Sequence, residues 1–157
     1  RKRETKARTV FETDQVSLPI SPMRQEFAHE SGLPEGRLNL ARAALLIAQE
    51  EYPQLPVERY LARLDQLAEE TRNLLGQETA PLVVLEELLA TAHARNGFRG
   101  NREAYYDPRN SYLSDVLDRR VGIPLTLGIV LLEVGWRLGL TLEGVSFPGH
   151  FLDPLRR

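Results

Sequence analysis

The stretch from Pro124 to Leu138 constrains the fold most strongly, because it is apolar on almost every helical face. Proline favours the first turn of a helix, and Gly139 favours a stop at the other end. The apolar residues are Leu125, Leu127, Ile129, Val130, Leu131, Leu132, Val134 and Trp136. A helix that is hydrophobic all round is normally enclosed by the rest of its domain. We therefore predict a buried central helix.

Three amphipathic stretches precede this helix and predict a helical region over about residues 37–96. The first places Leu40, Ala44, Ile47 and Ala48 on one face. The second begins near Pro56, ends at Gly76 and has Val57, Tyr60, Leu61, Leu64, Leu67, Ala68, Thr71 and Leu74 at helical spacing. The third takes Thr79 as its cap, Pro81 in its first turn and Asn96-Gly97 as its stop. No shared motif recurs at a fixed period, so we predict a non-repeating helical lobe.

Residues 97–157 have a different pattern. Turn-forming residues fill the segment 97–111, and Asn110 or Ser111 can cap a helix over 111–120 whose inward side chains are Tyr112, Leu113, Val116 and Leu117. After the central helix, residues 141–147 and 150–152 have the character of short strands. The sequence therefore predicts an α+β fold in which a helical lobe packs on a core with a small antiparallel sheet.

The first 22 residues differ from the remainder. They open with a run of Lys and Arg, end in prolines and have no helical period, and Met23 follows. We predict a disordered or leader segment over 1–22 and a single domain over 23–157. The alternative is a basic arm that contacts phosphate groups.

Composition excludes several classes of function. The 157 residues have a formal net charge of -2 and contain no cysteine, which excludes thiolate metal sites and cysteine nucleophiles. The net charge gives no general attraction to nucleic acid or anionic membranes. No apolar run reaches the roughly 18 residues of a membrane span, and no signal peptide opens the chain. We expect a cytoplasmic protein without metal or other cofactor.

Several motifs in a fixed order resemble the SirB-type transglutaminase-like proteins of bacteria. They are Gly97–Asn101, Asp107–Leu113, Arg120 with Gly122–Pro124, and Phe147–Phe151. The resemblance extends from about Leu38 to Leu152 and covers most of the chain. Members of that family typically continue into tetratricopeptide repeats, so we expect these residues to be part of a longer protein.

The resemblance implies a papain-type site. Such a site has a cysteine at the start of the central helix, a histidine on the next strand and an aspartate on the strand after that. Counting back about four turns from Gly139 places the cysteine position at Pro124. The nucleophile is therefore replaced by a residue that starts a helix but has no reactive group.

Three residues are candidates for remaining chemistry. His150 matches the family's histidine and either lines a site or packs between Phe147 and Phe151. Thr126 is the hydroxyl nearest the lost cysteine position, and packing or capping is favoured for it over nucleophilic attack. Asp153 resembles the third member of the triad but lies only three residues after His150. Either the connecting hairpin is absent from the protein, or residues are missing between Leu152 and Asp153.

A polar cluster before the 111–120 helix has two interpretations. The residues are Tyr106, Asp107, Arg109 and Asn110. They form turns and caps, or they line a binding groove beside Pro124 and His150; both roles are compatible. Arg119 and Arg120 suit the C-terminal end of their helix. We assign no chemistry to His29 or His93.

The sequence therefore predicts a non-catalytic transglutaminase-like module that binds a protein partner. One alternative is a hydrolase or acyl transferase that uses His150 with a nucleophile other than cysteine. The other is a nucleic-acid-associated factor that uses the basic N-terminal arm, although nucleic acid is the less favoured partner.

Overall fold

The computed structural model describes residues 20–34 and 36–144. In that part of the chain the helices are α1 (Pro22–Ser31), α2 (Leu40–Glu51), α3 (Val57–Leu75), α4 (Pro81–Leu89), α5 (Leu113–Arg119) and α6 (Pro124–Arg137). The strands are β1 (Arg99–Gly100) and β2 (Val121–Gly122). A π-helical turn at Ala90–Arg95 continues α4, and a 3₁₀ turn spans Pro108–Ser111. Helices with a small sheet confirm the predicted α+β class.

Helix α3 follows its predicted pattern closely. Its buried residues are Val57, Leu61, Leu64, Leu67, Ala68 and Thr71. Leu74 is 51% exposed, so the prediction fails in the last turn. Gly76 follows the helix with a φ of 59°, which favours glycine. The buried face packs against α2, α4 and α6 and forms the middle of the core.

Helix α6 begins at Pro124, as predicted, and ends at Arg137. It packs against α2, α3, α4 and α5 and touches both strands, which confirms its central position. Its buried residues are Thr126, Val130, Glu133, Val134 and Gly135. Of the eight apolar residues predicted to be enclosed, only Val130 and Val134 are buried. Leu125 and Trp136 are 49% and 41% exposed, and the others are half-buried, so the prediction of burial on every face is wrong. Gly135 lies close to Leu142, whose side chain would have to move to admit a Cβ at this position.

The sheet differs from the one predicted. Strands β1 and β2 pair in parallel, with Arg99 opposite Val121 and Gly100 opposite Gly122. The residues between them, including the 3₁₀ turn and α5, form the crossover that parallel pairing requires. The predicted antiparallel strands were placed after α6, where residues 141–144 form no strand. The remaining residues of those predicted strands lie outside the described part of the chain.

The sequence pattern did not predict α1. Its apolar content is low, but Ser21 caps it by accepting a hydrogen bond from the Arg24 N–H, and Pro22 occupies its first turn. The helical region therefore begins before Arg37. Helix α1 packs against α2, and the buried face of α2 differs from the predicted one. The buried residues of α2 are Ala41, Ala43, Leu45, Leu46 and Ala48, whereas Ile47 is 50% exposed.

Two predicted helix caps are also corrected. Helix α4 begins after Ala80 rather than Thr79, and the Glu78 carboxylate accepts the N–H groups of both residues at 2.7 and 2.8 Å. These backbone hydrogen bonds lower the pKa of Glu78. Helix α5 begins after Tyr112 with no side-chain cap, so neither Asn110 nor Ser111 has the predicted capping role.

Candidate functional site

The N-terminus of α6 is joined to the 101–111 loop by hydrogen bonds. The Asn101 N–H donates to the Gly122 carbonyl at 3.1 Å, and the Ile123 N–H donates to the Asn110 carbonyl at 3.4 Å. The Thr126 hydroxyl donates to the same Asn110 carbonyl at 2.7 Å. The loop is therefore held against the start of α6, where the resemblance places the nucleophile.

Pro124 occupies the first helical position of α6 and is exposed. A proline at this position removes an N–H that has no partner inside the helix, and its ring angle suits the helix start. It has no acidic or nucleophilic group. The exposed start of α6 can therefore contact a ligand or a partner, but Pro124 cannot attack one.

Thr126 is the only hydroxyl in the first turn of α6, and it is 3% exposed. Its Oγ1 lies 2.7 Å from the Asn110 carbonyl oxygen and 3.1 Å from the Ile123 carbonyl oxygen. A hydroxyl has one proton to donate, and here it is directed at backbone acceptors. This geometry favours the packing and capping interpretation of Thr126.

Asn110 is fully buried and organises the loop. Its Nδ2 donates to the carbonyls of Ala104 at 2.8 Å and Tyr105 at 3.1 Å. Its Oδ1 accepts from Asn101 Nδ2 at 3.0 Å. Since both ends of the amide are bound inside the protein, Asn110 shapes the site rather than facing a groove.

Asp107 and Arg109 pair with each other. Arg109 donates from Nε and Nη2 to the two carboxylate oxygens at 3.0 and 2.8 Å, and Arg119 Nη2 lies 3.3 Å from the same carboxylate. The carboxylate also accepts the Arg109 N–H and so caps the 3₁₀ turn. Hydrogen bonds from Arg109 lower the pKa of Asp107 to about 2. Asp107 therefore has a turn-making role, and the groove-lining role of the cluster stays a prediction.

The exposed part of the loop is aromatic. Tyr106 is 93% exposed and Tyr105 is 55% exposed, and their rings meet edge to face with centroids 5.3 Å apart. Asn110 fixes the Tyr105 backbone, and Leu125 is exposed in the first turn of α6. Exposed tyrosines on a well-anchored loop can supply contact area at low entropic cost.

His150 and Asp153 lie outside the described residues. The expected approach of His150 to Pro124 and the place of Asp153 in a triad therefore stay predictions. The same holds for Phe147 and Phe151.

The structure also brings together residues that the sequence analysis did not connect. Arg120 Nη1 donates to the backbone oxygen and Oδ1 of Asn96 at 3.0 and 2.8 Å. Its guanidinium lies 4.9 Å from the Phe98 ring centroid. From the sequence alone, Asn96 is a helix stop and Arg120 is a charge at a helix end. One sequence feature pointed to this region: the Gly97–Asn101 motif and Arg120 both belong to the motifs of the family resemblance.

His93 has a structural contact. Its Nδ1 lies 2.8 Å from the Phe98 carbonyl oxygen, so it supports the chain where the π-helical turn ends. Within the described residues, no group of three or more acidic or histidine side chains is placed to hold a metal ion. None of the helices in that part of the chain combines the length and apolar character needed to cross a bilayer.

Helices pack around α6, and the 101–111 loop is held against the start of that helix. The chain belongs to the transglutaminase-like superfamily, whose family model matches residues 58–155, more than half of the chain. The matched region begins at the second residue of α3 and extends beyond α6, so it contains the whole site described above.

Two bacterial proteins and one animal protein are similar to this chain in sequence. A UPF0162 protein of Xylella fastidiosa (strain Temecula1) is 41% identical over 115 residues, which is 73% of this chain and 41% of the relative. A UPF0162 protein of Vibrio cholerae is 37% identical over 115 residues, covering 73% of this chain and 43% of the relative. F-box only protein 21 of Mus musculus is 42% identical over 69 residues, or 44% of this chain and 11% of that protein.

The chain therefore spans about two fifths of the length of the UPF0162 relatives. No solved structure matches it. The comparisons support the transglutaminase-like part of the resemblance. They do not address the SirB-type assignment or the tetratricopeptide repeats.

Proposed function

We propose that the chain is a transglutaminase-like module that binds a protein partner and does no catalysis with its own nucleophile. The observation that carries this proposal is the first turn of α6. At the position where the resemblance places a cysteine, the chain has an exposed proline, and the turn's single hydroxyl is bound to backbone carbonyls.

The 101–111 loop and the start of α6 form the proposed binding surface. Tyr105, Tyr106 and Leu125 are exposed there, while Asn110 holds the loop from below. Aromatic side chains that are presented by a rigid scaffold are common anchors of protein interfaces. This supports the interpretation of the region as a docking surface.

The absence of catalysis can be tested directly. We expect the 157-residue chain to hydrolyse activated amide and thioester substrates at the rate of buffer alone. Turnover by the chain that disappears in a His150→Ala variant would support the alternative, a hydrolase or acyl transferase that uses His150.

The binding surface can be tested with a matched pair of variants. Once a partner has been isolated, we expect Tyr106→Ala to weaken its binding, because an exposed aromatic anchor is lost. Leu82, which is 75% exposed on α4, is the control, and Leu82→Ala should bind like the parent chain. Isothermal titration calorimetry measures the affinity of each variant for the partner. Equal affinities would exclude the 101–111 loop as the docking surface.

The finer assignments belong to the same proposal. The order of the Gly97–Asn101, Asp107–Leu113 and Gly122–Pro124 motifs supports a SirB-type module in a longer cytoplasmic protein. The full-length protein is then expected to carry tetratricopeptide repeats. Sequencing the complete gene would test that expectation.

A further inference from the structure

A second polar site lies away from the 101–111 loop. It is a pocket of about 100 Å³ between α3, α5 and the segment that follows the π-helical turn. Its floor contains Phe98 and two leucines. The polar residues around it are Arg63, Gln66, Glu70, Asn96 and Arg120.

Two uncommon backbone features converge on this pocket. Arg120 has a φ of 61°, in the left-handed region that few residues other than glycine adopt. The π-helical turn ends at Asn96, whose N–H donates to the Thr91 carbonyl at 3.0 Å. Strained residues and π-helical turns occur often at functional sites. In this pocket, the left-handed residue is Arg120 and the residue after the π-helical turn is Asn96, and the two are hydrogen-bonded to each other.

The Arg120 guanidinium is held in one orientation. Nη1 is bound by both oxygens of Asn96, and the Phe98 ring lies 4.9 Å from the guanidinium carbon. The other donors, Nε and Nη2, make no hydrogen bond to any described residue. Arg120 also takes part in none of the ion pairs among the described residues.

Arg63, in contrast, is already occupied. It pairs with Asp118, and its Nη2 donates to the Leu117 carbonyl at 2.6 Å. Burial, followed by the nearby charge of Arg63, lowers the pKa of Arg120. A bound anion would offset both effects, because it replaces lost hydration and opposes the second cation.

The charges around the pocket restrict the ligand. Arg63 is already paired with Asp118, and Glu70 lines the pocket beside Arg120, so the local positive charge is small and suits a monoanion better than a dianion such as phosphate. Glu70 Oε2 accepts from Asn96 Nδ2 at 3.0 Å, which leaves Oε1 to accept an N–H from a ligand. The volume of about 100 Å³ is several times the roughly 10–15 Å³ that a cavity needs to hold one water, so the pocket has room for a small carboxylate.

We propose that this pocket binds a carboxylate with an N–H group on the adjacent carbon, as found in a free amino acid or in the C-terminal residue of a peptide. The Arg120 fork binds the carboxylate, and Glu70 accepts the N–H. The site is independent of the proposed docking surface, since its polar side chains come from α3, Asn96 and Arg120 and none comes from the 101–111 loop.

The test is an NMR titration of the ¹⁵N-labelled 157-residue chain with four probes. They are glycine, N-acetylglycine, N-acetylglycinamide and inorganic phosphate. We expect saturable shifts of the Phe98, Leu117 and Arg120 amide signals with glycine, N-acetylglycine or both, at a dissociation constant on the order of 1 mM. N-acetylglycinamide, which lacks the carboxylate, should shift none of them.

The pattern among the probes also identifies the source of the carboxylate. Binding of N-acetylglycine supports a chain end, whereas binding of glycine alone supports a free amino acid. No saturable shift with either one overturns the proposal. So does phosphate binding more tightly than both, because the pocket would then be a general anion site.

Variants link the signal to Arg120. Arg120→Gly keeps the left-handed backbone accessible and should raise the dissociation constant about tenfold or more. Arg59→Gln removes an exposed arginine from α3 outside the pocket and should bind like the parent chain. Glu70→Gln is a second pocket variant, for use if Arg120→Gly perturbs the fold. It keeps the shape of the pocket and should weaken the binding of glycine and N-acetylglycine. Unchanged binding in both pocket variants contradicts the proposal.

Discussion

Asn110 has no charge and no catalytic group, yet it is fully buried and joins the 101–111 loop to the start of α6. Nearby side chains have similar supporting roles: Thr126 donates to its carbonyl, and Asn101 donates to its side chain. Polar residues near the candidate site are thus bound mainly to one another and to the backbone. Such a network fixes the shape of the surface that Tyr105 and Tyr106 present.

Gly122 provides a test of this close packing. A Cβ at this position would lie 2.7 Å from Thr126 Oγ1 and 2.9 Å from Val116 Cγ2. We expect Gly122→Ala to lower the free energy of unfolding by about 1 to 3 kcal/mol, as overpacking of a core does. Gly100, its partner across the strand pair, has open space around it and is the control. Equal stability of the Gly122→Ala and Gly100→Ala variants in urea denaturation would show that the contact is not tight.

Asp107 provides a test of the electrostatics. Arg109 holds the pKa of its carboxyl at about 2, whereas an unfolded chain has about 3.9. Because the folded pKa is the lower one, this contact stabilises the fold fully above about pH 4 and loses its effect as the pH falls towards 2. We expect Asp107→Asn to be less stable than the parent chain near neutral pH, with the difference shrinking in acid. Urea denaturation at a series of pH values measures it, and a difference independent of pH would refute the assignment.

At the scale of elements, α6 is tied to the helical lobe by a buried carboxylate. Glu133 is 5% exposed, and its Oε1 accepts the Ala41 N–H at 2.7 Å in the first turn of α2. Its Oε2 pairs with Arg137, which also contacts Asp65 of α3 at 2.7 Å. Three helices therefore meet at one ion-paired cluster.

Removing this carboxylate should loosen the contact between α6 and α2. We expect Glu133→Leu to lower the free energy of unfolding by about 3 kcal/mol or more, because it leaves the Ala41 N–H and Arg137 without their buried partner. Glu69 pairs with Arg72 on the exposed surface of α3, so Glu69→Leu should change stability by about 0.5 kcal/mol or less. Similar losses in the two variants, measured by urea denaturation, would mean that the buried cluster adds no more than a surface pair.

At the scale of the molecule, the sequence predicted the elements that have strong local signals. Helix α3 has a long apolar period, and α6 is bounded by Pro124 and Gly139, so both were located within a residue or two. Helix α1 was missed because its apolar period is weak and its cap, Ser21, lies in a stretch of proline and polar residues. Ile47 was misassigned because apolar residues occur on several sides of α2, and the pattern alone does not show which sides α1 and the core cover.

The site was less accessible to sequence reasoning than the fold. Pro124 could be predicted as a helix start, and the turn-forming role of Asp107 could be predicted from turn chemistry. The Arg120–Asn96 contact could not, because the two residues are distant in the chain and are brought together by a π-helical turn and a left-handed residue. Neither backbone feature has a reliable pattern in a single sequence.

The proposed function depends on Pro124 occupying the nucleophile position of a papain-type layout that includes His150. The most direct test places a thiol there and measures the pH dependence of its alkylation by iodoacetamide in Pro124→Cys, alone and combined with His150→Ala. We predict a thiol pKa below the free value of about 8.5, because a helix N-terminus and a nearby imidazole both stabilise the thiolate, and a rise in that pKa when His150 is removed. A thiol with an ordinary pKa that does not respond to His150 would contradict the claim.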